Sequence, residues 1–328
     1  MRRLDPSCGG LARAKLLFAI LAACAFQPAY AQAYPAGPVR IIVPNAKGGL
    51  ADITTRLIAG KLGDALGQPV VVDNRPGKGG TTGTAAAAKA APDGYTLLAV
   101  FDSHATNLHL FRALGYNTRA DFAPISLLVR GPLVLVVNRD LKARTTRELI
   151  DLARAKPGAI SFGTVGPGSP ARLLVELLKL DAGIDVASVS YRGAELALGE
   201  VVGGEVDAMF VTVPSARPYM NLGRVRVIAV TSEKRSAFIP GVPALGETFP
   251  GFAAEAWVGL LAPARTPPEI IDRLNTEVVR VLARPEVKAR FAEEGLEPVG
   301  STPAELDRWI RAAIDLWGQV IRQQKITL

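Results

Sequence analysis

This chain of 328 residues has only two histidines, and one of them stands beside side chains that could support catalysis. His104 follows Asp102 and Ser103, so the segment holds the three residue types of a serine hydrolase triad. At the end of a strand, however, adjacent side chains point to opposite sides and cannot form a triad. The sequence also lacks the Gly-x-Ser-x-Gly turn that presents a nucleophilic serine. We therefore expect His104 either to form hydrogen bonds in a cleft or to be structural.

Three glycine-rich segments, at residues 44–52, 75–83 and 163–169, are further candidates for a functional site. Each falls between a predicted strand and a predicted helix. Glycine lets backbone N–H groups approach a ligand, and a helix N-terminus carries partial positive charge, so such loops favour a carboxylate or a phosphate. Glycine can also serve only to make a tight turn, and the sequence leaves both alternatives open. The spacing in residues 77–82 and 163–168 does not match nucleotide-binding motifs.

Four other side chains have two interpretations each. Lys47 is either a counter-charge for an anionic ligand or a solvated loop lysine. Asp52 either contacts the ligand or caps the helix that begins near it. Tyr191 and Trp257 either stack on a ligand or pack against apolar neighbours. If Lys47 is a counter-charge, Lys47→Ala should weaken the binding of an anion and leave the fold intact.

Alternating apolar runs predict an α/β fold. Strands are expected at residues 39–43, 70–72 and 95–101, with helices at 50–66 and 81–91 between them. This order implies a parallel sheet with helical crossovers. Later helices are expected after three capping-box sequences, which begin at Thr145, Thr266 and Thr302.

Two chain crossings, near residues 125–132 and 249–258, predict two α/β lobes joined by two hinge crossings. The first lobe would contain residues 32–128 and 252–328, and the second would contain residues 129–251. In such an arrangement a ligand binds in the cleft where strand ends and helix N-termini converge.

The first 31 residues are expected to be a signal peptide. An apolar run at residues 16–26 is too short to span a bilayer, and Ala29-Tyr30-Ala31 offers a cleavage site. Alternatively, Leu21-Ala22-Ala23-Cys24 resembles a lipobox, and Cys24 would then carry a lipid. Cleavage after residue 31 would remove both cysteines and lower the net charge from +8 to +5. Such a mild charge does not argue for nucleic acid, and no metal site or cofactor is expected.

Several ordered motifs resemble a known family over essentially the whole chain beyond the signal peptide. Residues 67–77 read Gly-Gln-Pro-Val-Val-Val-Asp-Asn-Arg-Pro-Gly, and residues 90–98 read Ala-Ala-Pro-Asp-Gly-Tyr-Thr-Leu-Leu. Ser-His-Ala-Thr-Asn at residues 103–107, Tyr191-Arg192-Gly193 and Gly-Leu-Leu-Ala-Pro at residues 259–263 follow in family order. In these motifs the chain is similar to the substrate-binding proteins of tripartite tricarboxylate transporters, also called the Bug family.

The resemblance implies a periplasmic binding protein of type II that captures a small carboxylate between its lobes and delivers it to membrane subunits. It further implies a periplasmic location and a monomer, with no catalytic residue. We expect the ligand-binding residues to come from the first loop, the second-lobe loop and cleft-lining positions. They are Asn45, Lys47, Gly48, Gly49, Asp52, Ser103, His104, Asn107, Thr164, Gly166, Gly168, Ser169, Tyr191 and Thr212.

The first loop departs from the family where specificity would be set. Family members usually read Pro-Phe-Pro-Pro-Gly-Gly, whereas this chain reads Pro44-Asn45-Ala46-Lys47-Gly48-Gly49. An aromatic stacking surface is therefore missing from the loop, and a positive charge is added. The identity of the carboxylate stays open.

Two other functions are compatible with this sequence. A sensor subunit for a membrane signalling protein would use the same cleft. An enzyme on the same scaffold would use His104 as acid–base and Lys47 as electrophile, but the sequence offers no nucleophile–base pair and no metal constellation. Turnover in a substrate panel would support the enzyme, and stoichiometric binding without turnover would support capture.

Overall fold

A computed structural model of the chain describes residues 34–165, 169–191 and 193–327. The predicted signal peptide, including Cys24, lies outside these residues, and so do Gly166 and Gly168. From Gly37 onward the chain forms one compact unit. The lobe boundaries near residues 128 and 251 therefore stay a prediction.

Three parallel strands form the first part of the sheet. β1 (Val39–Val43) lies between β2 (Val70–Asn74) and β3 (Thr96–Val100), and the connections contain α1 (Leu50–Leu66) and α2 (Thr81–Ala88). The valine, isoleucine and leucine side chains of β1 and β3 are buried. The predicted β-α-β-α-β order and its parallel sheet are confirmed.

The 17-residue strand β4 (Phe122–Asn138) connects the two ends of the sheet. Its first half pairs antiparallel with β9 (Glu255–Pro263), and its second half pairs antiparallel with β7 (Ala208–Thr212) and β8 (Val225–Val230). β9 also pairs antiparallel with β3. Nearly every residue of β4 is buried, which explains why its sequence is a continuous apolar run rather than an alternating one.

The remaining elements complete the sheet and cover it. β5 (Ser161–Thr164) lies between β6 (Ala187–Ser190) and β7, and all three are parallel. The sheet order is β2-β1-β3-β9-β4-β7-β5-β6, and the two-residue β10 (Glu297–Pro298) pairs with β4. The other helices are α3 (Asp102–Leu110), α4 (Thr146–Ala155), α5 (Pro170–Ala182), α6 (Ala194–Gly203), α7 (Val213–Asn221), α8 (Pro268–Leu282), α9 (Pro285–Glu293) and α10 (Pro303–Gln323).

Two of the three predicted capping boxes are confirmed. The Thr145 and Thr302 side chains cap α4 and α10, and a glutamate three residues later completes each box. The box at Thr266 is wrong. Pro268 takes the first position of α8, a position that suits proline, and the Thr266 hydroxyl donates instead to the Pro263 carbonyl oxygen at 2.8 Å.

The helix α10 packs against α3 and β4. Trp317 is 4% exposed, and Trp309 is partly buried against the same core, as the sequence predicted. Within residues 34–327, apart from the two short gaps, no helix is long and apolar enough to cross a membrane.

Two helical glycines have opposite surroundings and provide a test of the packing. A Cβ at Gly83 would lie 2.7 Å from the Arg75 carbonyl oxygen and 2.9 Å from Pro44 Cα, whereas a Cβ at Gly60 would have nothing within 4 Å. We expect Gly83→Ala to lower the free energy of unfolding by about 1–3 kcal/mol through overpacking. Gly60→Ala should raise it by about 0.5–1 kcal/mol, because alanine favours helix.

Urea unfolding of both variants and the natural protein checks this pair. A Gly83→Ala variant as stable as the natural protein would contradict the close backbone contact.

Candidate ligand-binding site

A cavity of about 500 Å³ lies where four segments of the chain meet. These segments are the residues that follow β1, residues 76–80, α3 with its flanking residues, and the start of α5. The polar side chains that line it are Asn45, Lys78, Ser103, Asn107 and Ser169. The large apolar side chains that line it are Phe101, Leu110, Phe111 and Val165.

Glycines allow residues 76–80, the second loop of the site, to approach the first loop and α3 closely. Gly79 and Gly80 have φ values of 63° and 92°, in the left-handed region that glycine adopts without strain. A Cβ at Gly80 would lie 3.2 Å from the Pro44 carbonyl oxygen. The Asn107 side-chain amide donates to the Gly79 carbonyl oxygen at 2.9 Å. The loop is therefore fixed against both β1 and α3.

Lys78 stands in the same loop with a φ of 46°. The left-handed region costs a residue with a Cβ roughly 1–2 kcal/mol. Such strain persists where surrounding contacts enforce it and is concentrated at ligand sites. The strained conformation and its place in the cavity wall make Lys78 a candidate ligand residue.

Asp52 organises the first loop. Its carboxylate accepts hydrogen bonds from the Gly48 N–H, the Asn74 amide and the Arg56 guanidinium, each at 2.9 Å. Burial raises the pKa of Asp52, but the hydrogen bonds from Gly48 and Asn74 and the charge of Arg56 outweigh it, so its pKa is lowered overall. The Asn74 amide also donates to the Asn45 carbonyl oxygen at 3.1 Å. Asp52 thus holds the backbone that precedes α1.

Three helices begin at the cavity. Ser169 caps α5 by accepting a hydrogen bond from the Arg172 N–H at 3.2 Å. The residues at the N-cap positions of α2 and α3 are Gly80 and Phe101, and neither supplies a side-chain hydrogen bond to its helix. The α2 and α3 N-termini, with their partial positive charges, therefore adjoin the cavity, although the Asp102 carboxyl accepts a hydrogen bond from its own N–H at the start of α3. This arrangement favours an anion.

Asp102 is a buried acid in the first turn of α3. Burial raises its pKa to about 7, although hydrogen bonds from its own backbone N–H and from the Trp257 side chain oppose the shift. Trp257 is 1% exposed, so the packing interpretation holds for it and stacking on a ligand does not. A carboxyl that is largely protonated below neutral pH adds little negative charge beside an anion site.

His104 lies on a buried face of α3. Its ring makes an edge-to-face contact with Phe122, with the ring centroids 5.4 Å apart. Burial lowers the pKa of His104 to about 4, and the backbone of Thr118 offsets part of that shift. The expectation that residues 102–104 end a strand is wrong, because they open a helix. On a helix Asp102 and His104 point about 200° apart, so the helix separates two side chains that a strand would place on one face.

The structure brings together only part of the expected ligand-binding set. Asn45, Ser103, Asn107 and Ser169 line the cavity. Lys47, Gly48, Gly49 and Asp52 belong to the first loop but are not in the lining, and Lys47 is exposed. His104, Thr164, Tyr191 and Thr212 lie elsewhere. His104 and Thr164 are buried, Tyr191 packs against an apolar cluster of buried residues, and Thr212 shares a hydrogen bond with Ser215.

Among the lining residues with large side chains, sequence reasoning missed Lys78, Phe101, Leu110, Phe111 and Val165. Lys78 and Val165 were within glycine-rich segments, and the glycines on both sides of Lys78 were the available signal. Phe101, Leu110 and Phe111 flank or end α3, which apolar periodicity did not reveal.

A larger groove of about 580 Å³ surrounds Arg130 and is less suited to a carboxylate. Arg130 already pairs with Glu297 at 3.1 Å and with Glu255 at 3.7 Å. Glu233 lines the same groove, so its three carboxylates offset the charges of Arg130, Lys234 and Arg235, and Arg235 already pairs with Glu247. Burial raises the pKa of Glu255, and Glu297 and Glu233 raise it further against the effect of Arg130.

A family model described as the tripartite tricarboxylate transporter family receptor, TctC, matches residues 54–326. The chain belongs to this family. TctC and Bug proteins are periplasmic solute-binding proteins rather than enzymes, and the fold is the mixed α/β fold of such proteins. The family and fold that the sequence motifs predicted are confirmed.

Several relatives match this chain over most of its length. Protein BugT of Bordetella pertussis is 38% identical over 299 residues, which are 90% of this chain and 92% of that protein. The structure of R. palustris Rpa4515 with adipate has a TM-score of 0.79 and 33% identity, and covers 90% of this chain and 100% of its own. MatC (Rpa3494) from Rhodopseudomonas palustris with bound malate has a TM-score of 0.74 and 31% identity, and covers 88% of this chain and 100% of its own.

Asp102 and His104 should affect stability in opposite senses. From about pH 4 to 7 the folded protein keeps a proton on Asp102 that the unfolded chain has lost, so this group lowers the free energy of unfolding as pH rises. From about pH 4 to 6.5 the unfolded chain holds a proton on His104 that the folded protein lacks. This group therefore raises the free energy of unfolding as pH rises. Relative to the natural protein, Asp102→Asn should therefore gain stability with pH, and His104→Phe should lose it.

Urea unfolding at intervals between pH 4.5 and 7 measures both trends. If Asp102→Asn and the natural protein gave parallel pH profiles, the raised pKa would be contradicted.

Proposed function

We propose that this TctC protein captures a small carboxylate in the cavity between the first loop, residues 76–80, α3 and α5. The observation that carries the proposal is the convergence of the α2 and α3 N-termini on one cavity that also holds Lys78. We further propose that the protein works in the periplasm as a monomer and delivers its ligand to the membrane subunits of a tripartite tricarboxylate transporter.

The geometry favours particular contacts for the carboxylate. Asn45, Ser103 and Asn107 lie on two walls of the cavity, and Ser169 lies at the start of α5. A hydrogen bond to a charged group contributes about 1.5–3 kcal/mol, so a few such bonds offset the cost of immobilising a small molecule. Gly48, Gly49 and Asp52 would act indirectly, by fixing the loop that presents Asn45.

The solved relatives support a carboxylate ligand. Adipate is present with Rpa4515 and malate with MatC, and both molecules are carboxylates. In the proposed mechanism the two predicted lobes close over the ligand and exclude water. Exclusion of water strengthens each charge-assisted hydrogen bond. It therefore slows release of the ligand until the protein meets the transporter.

Thermal unfolding of the purified full chain against a panel of carboxylates, amino acids and phosphate tests capture. A ligand at 100 times its dissociation constant stabilises the folded state by about 2.7 kcal/mol, which is visible as a raised melting temperature. Selective stabilisation by carboxylates supports the proposal. Stabilisation by phosphate alone would reject it.

Two loop lysines provide a matched pair for the counter-charge. Lys78 lines the cavity, whereas Lys47 is exposed outside the lining. Because Lys78 is also exposed, its charge is screened, and we expect Lys78→Gln to weaken carboxylate binding only about threefold at low ionic strength. Lys47→Gln should leave the dissociation constant unchanged.

Calorimetric titration at low and high salt separates the two lysines. A loss of affinity in Lys47→Gln with none in Lys78→Gln would assign the counter-charge to the first loop instead.

A further inference from the structure

We propose that the cavity selects a carboxylate with one negative charge and an apolar body, either a ring or an aliphatic chain. The inference rests on the proposed function, because it names the ligand chemistry of that same site. Three features of the cavity support the inference: its apolar wall, the charge of its lining and the placement of its polar groups.

Incompletely buried apolar side chains line much of the cavity, and those at α3 form its apolar wall. Phe101 immediately precedes α3, Leu110 ends it, and Phe111 follows it. Val165, which follows β5, also lines the cavity. All four are only partly buried, although the apolar residues of β1, β3 and β9 beside them are buried. Apolar surface left open in a concave site marks the place of an apolar partner.

The aromatic rings replace a surface that the first loop lacks. That loop has no aromatic residue, and Phe111 packs instead on the second loop, where a Cβ at Gly79 would lie 3.5 Å from its ring. A ligand ring or chain could therefore lie against Phe111 and Phe101 while its carboxylate faces the loops.

The lining carries little formal charge. Among the described residues that line the cavity, Lys78 is the one with a charged side chain. One lysine and the partial charges of two helix N-termini suit one carboxylate. A second or third carboxylate would lose its hydration against Phe101, Leu110 and Phe111, where no donor replaces the water.

Polar groups are concentrated at one part of the cavity. A Cβ at Gly80 would lie 3.2 Å from the Pro44 carbonyl oxygen and 3.5 Å from the Ser103 hydroxyl, and Asn45 follows Pro44 directly. Hydrogen-bonding side chains thus adjoin one contact point. Phe101 lies beside them at the start of α3, and Leu110 and Phe111 lie at its other end. The cavity therefore combines polar and apolar lining, as a carboxylate with an apolar body requires.

Calorimetric titration of the purified full chain with a homologous series tests this class of ligand. The series is acetate, butanoate, hexanoate and octanoate, with phenylacetate as the aromatic member and malate, adipate and citrate as hydrophilic or multiply charged competitors. Each buried methylene contributes about fourfold in affinity, so the dissociation constant should fall stepwise along the series until the cavity is filled.

Variants of the wall connect the trend to the cavity. Phe111→Ser should weaken hexanoate binding roughly tenfold and butanoate binding much less, because the shorter chain buries less of the wall. Leu110→Ser is a second wall variant in case Phe111→Ser fails to fold. Leu222→Ser is the matched control, since Leu222 is 73% exposed and outside the cavity, and it should bind as the natural protein does.

The outcomes separate this inference from the function on which it rests. Tighter binding of the longer monocarboxylates, lost in the wall variants and kept in Leu222→Ser, supports it. Malate, adipate or citrate binding more tightly than every monocarboxylate, or an affinity that is flat along the series, overturns the inference while capture of carboxylates stands. Binding of no carboxylate at all overturns both.

Discussion

The contact of Gly80 and Gly83 with Pro44 is the constraint on which the candidate site depends. It joins the loop after β1 to the loop that leads into α2, with backbone atoms so close that no side chain fits between them. Asn107 then ties the second loop to α3. Because these contacts are made by backbone atoms and one short side chain, the helix N-termini are positioned before any ligand arrives, and less binding free energy is needed to order them.

The helix α3 contributes both a polar and an apolar wall, and buried polar groups hold it in place. Asp102 meets Trp257 at its start, and His109 bonds to the Ile314 carbonyl oxygen of α10 at 3.0 Å near its end. Burial raises the pKa of Asp102 to about 7 and lowers the pKa of His104 to about 4, so both groups carry less formal charge than they would in water. The electrostatics of the site thus come from helix termini and one exposed lysine.

Apolar periodicity predicted the parallel strands and most helices, because each buries one regular face. It missed α3, whose sequence Asp-Ser-His-Ala-Thr-Asn-Leu-His-Leu has no apolar stripe and is helical through its tertiary contacts. Glycine content located the loops of the site, since close backbone approach needs glycine. It could not distinguish Lys47 from Lys78, because which lysine lines the cavity depends on how the loops pack. The aromatic wall was missed together with the helix that carries it.

A crystal structure of the protein with a bound carboxylate would locate the ligand. We expect carboxylate oxygens within about 2.7–3.2 Å of donors at Asn45, Ser103 or residues 77–80, with the body of the ligand against Phe111. A ligand bound in the groove around Arg130, with none in the cavity beside Pro44, would contradict the proposed site.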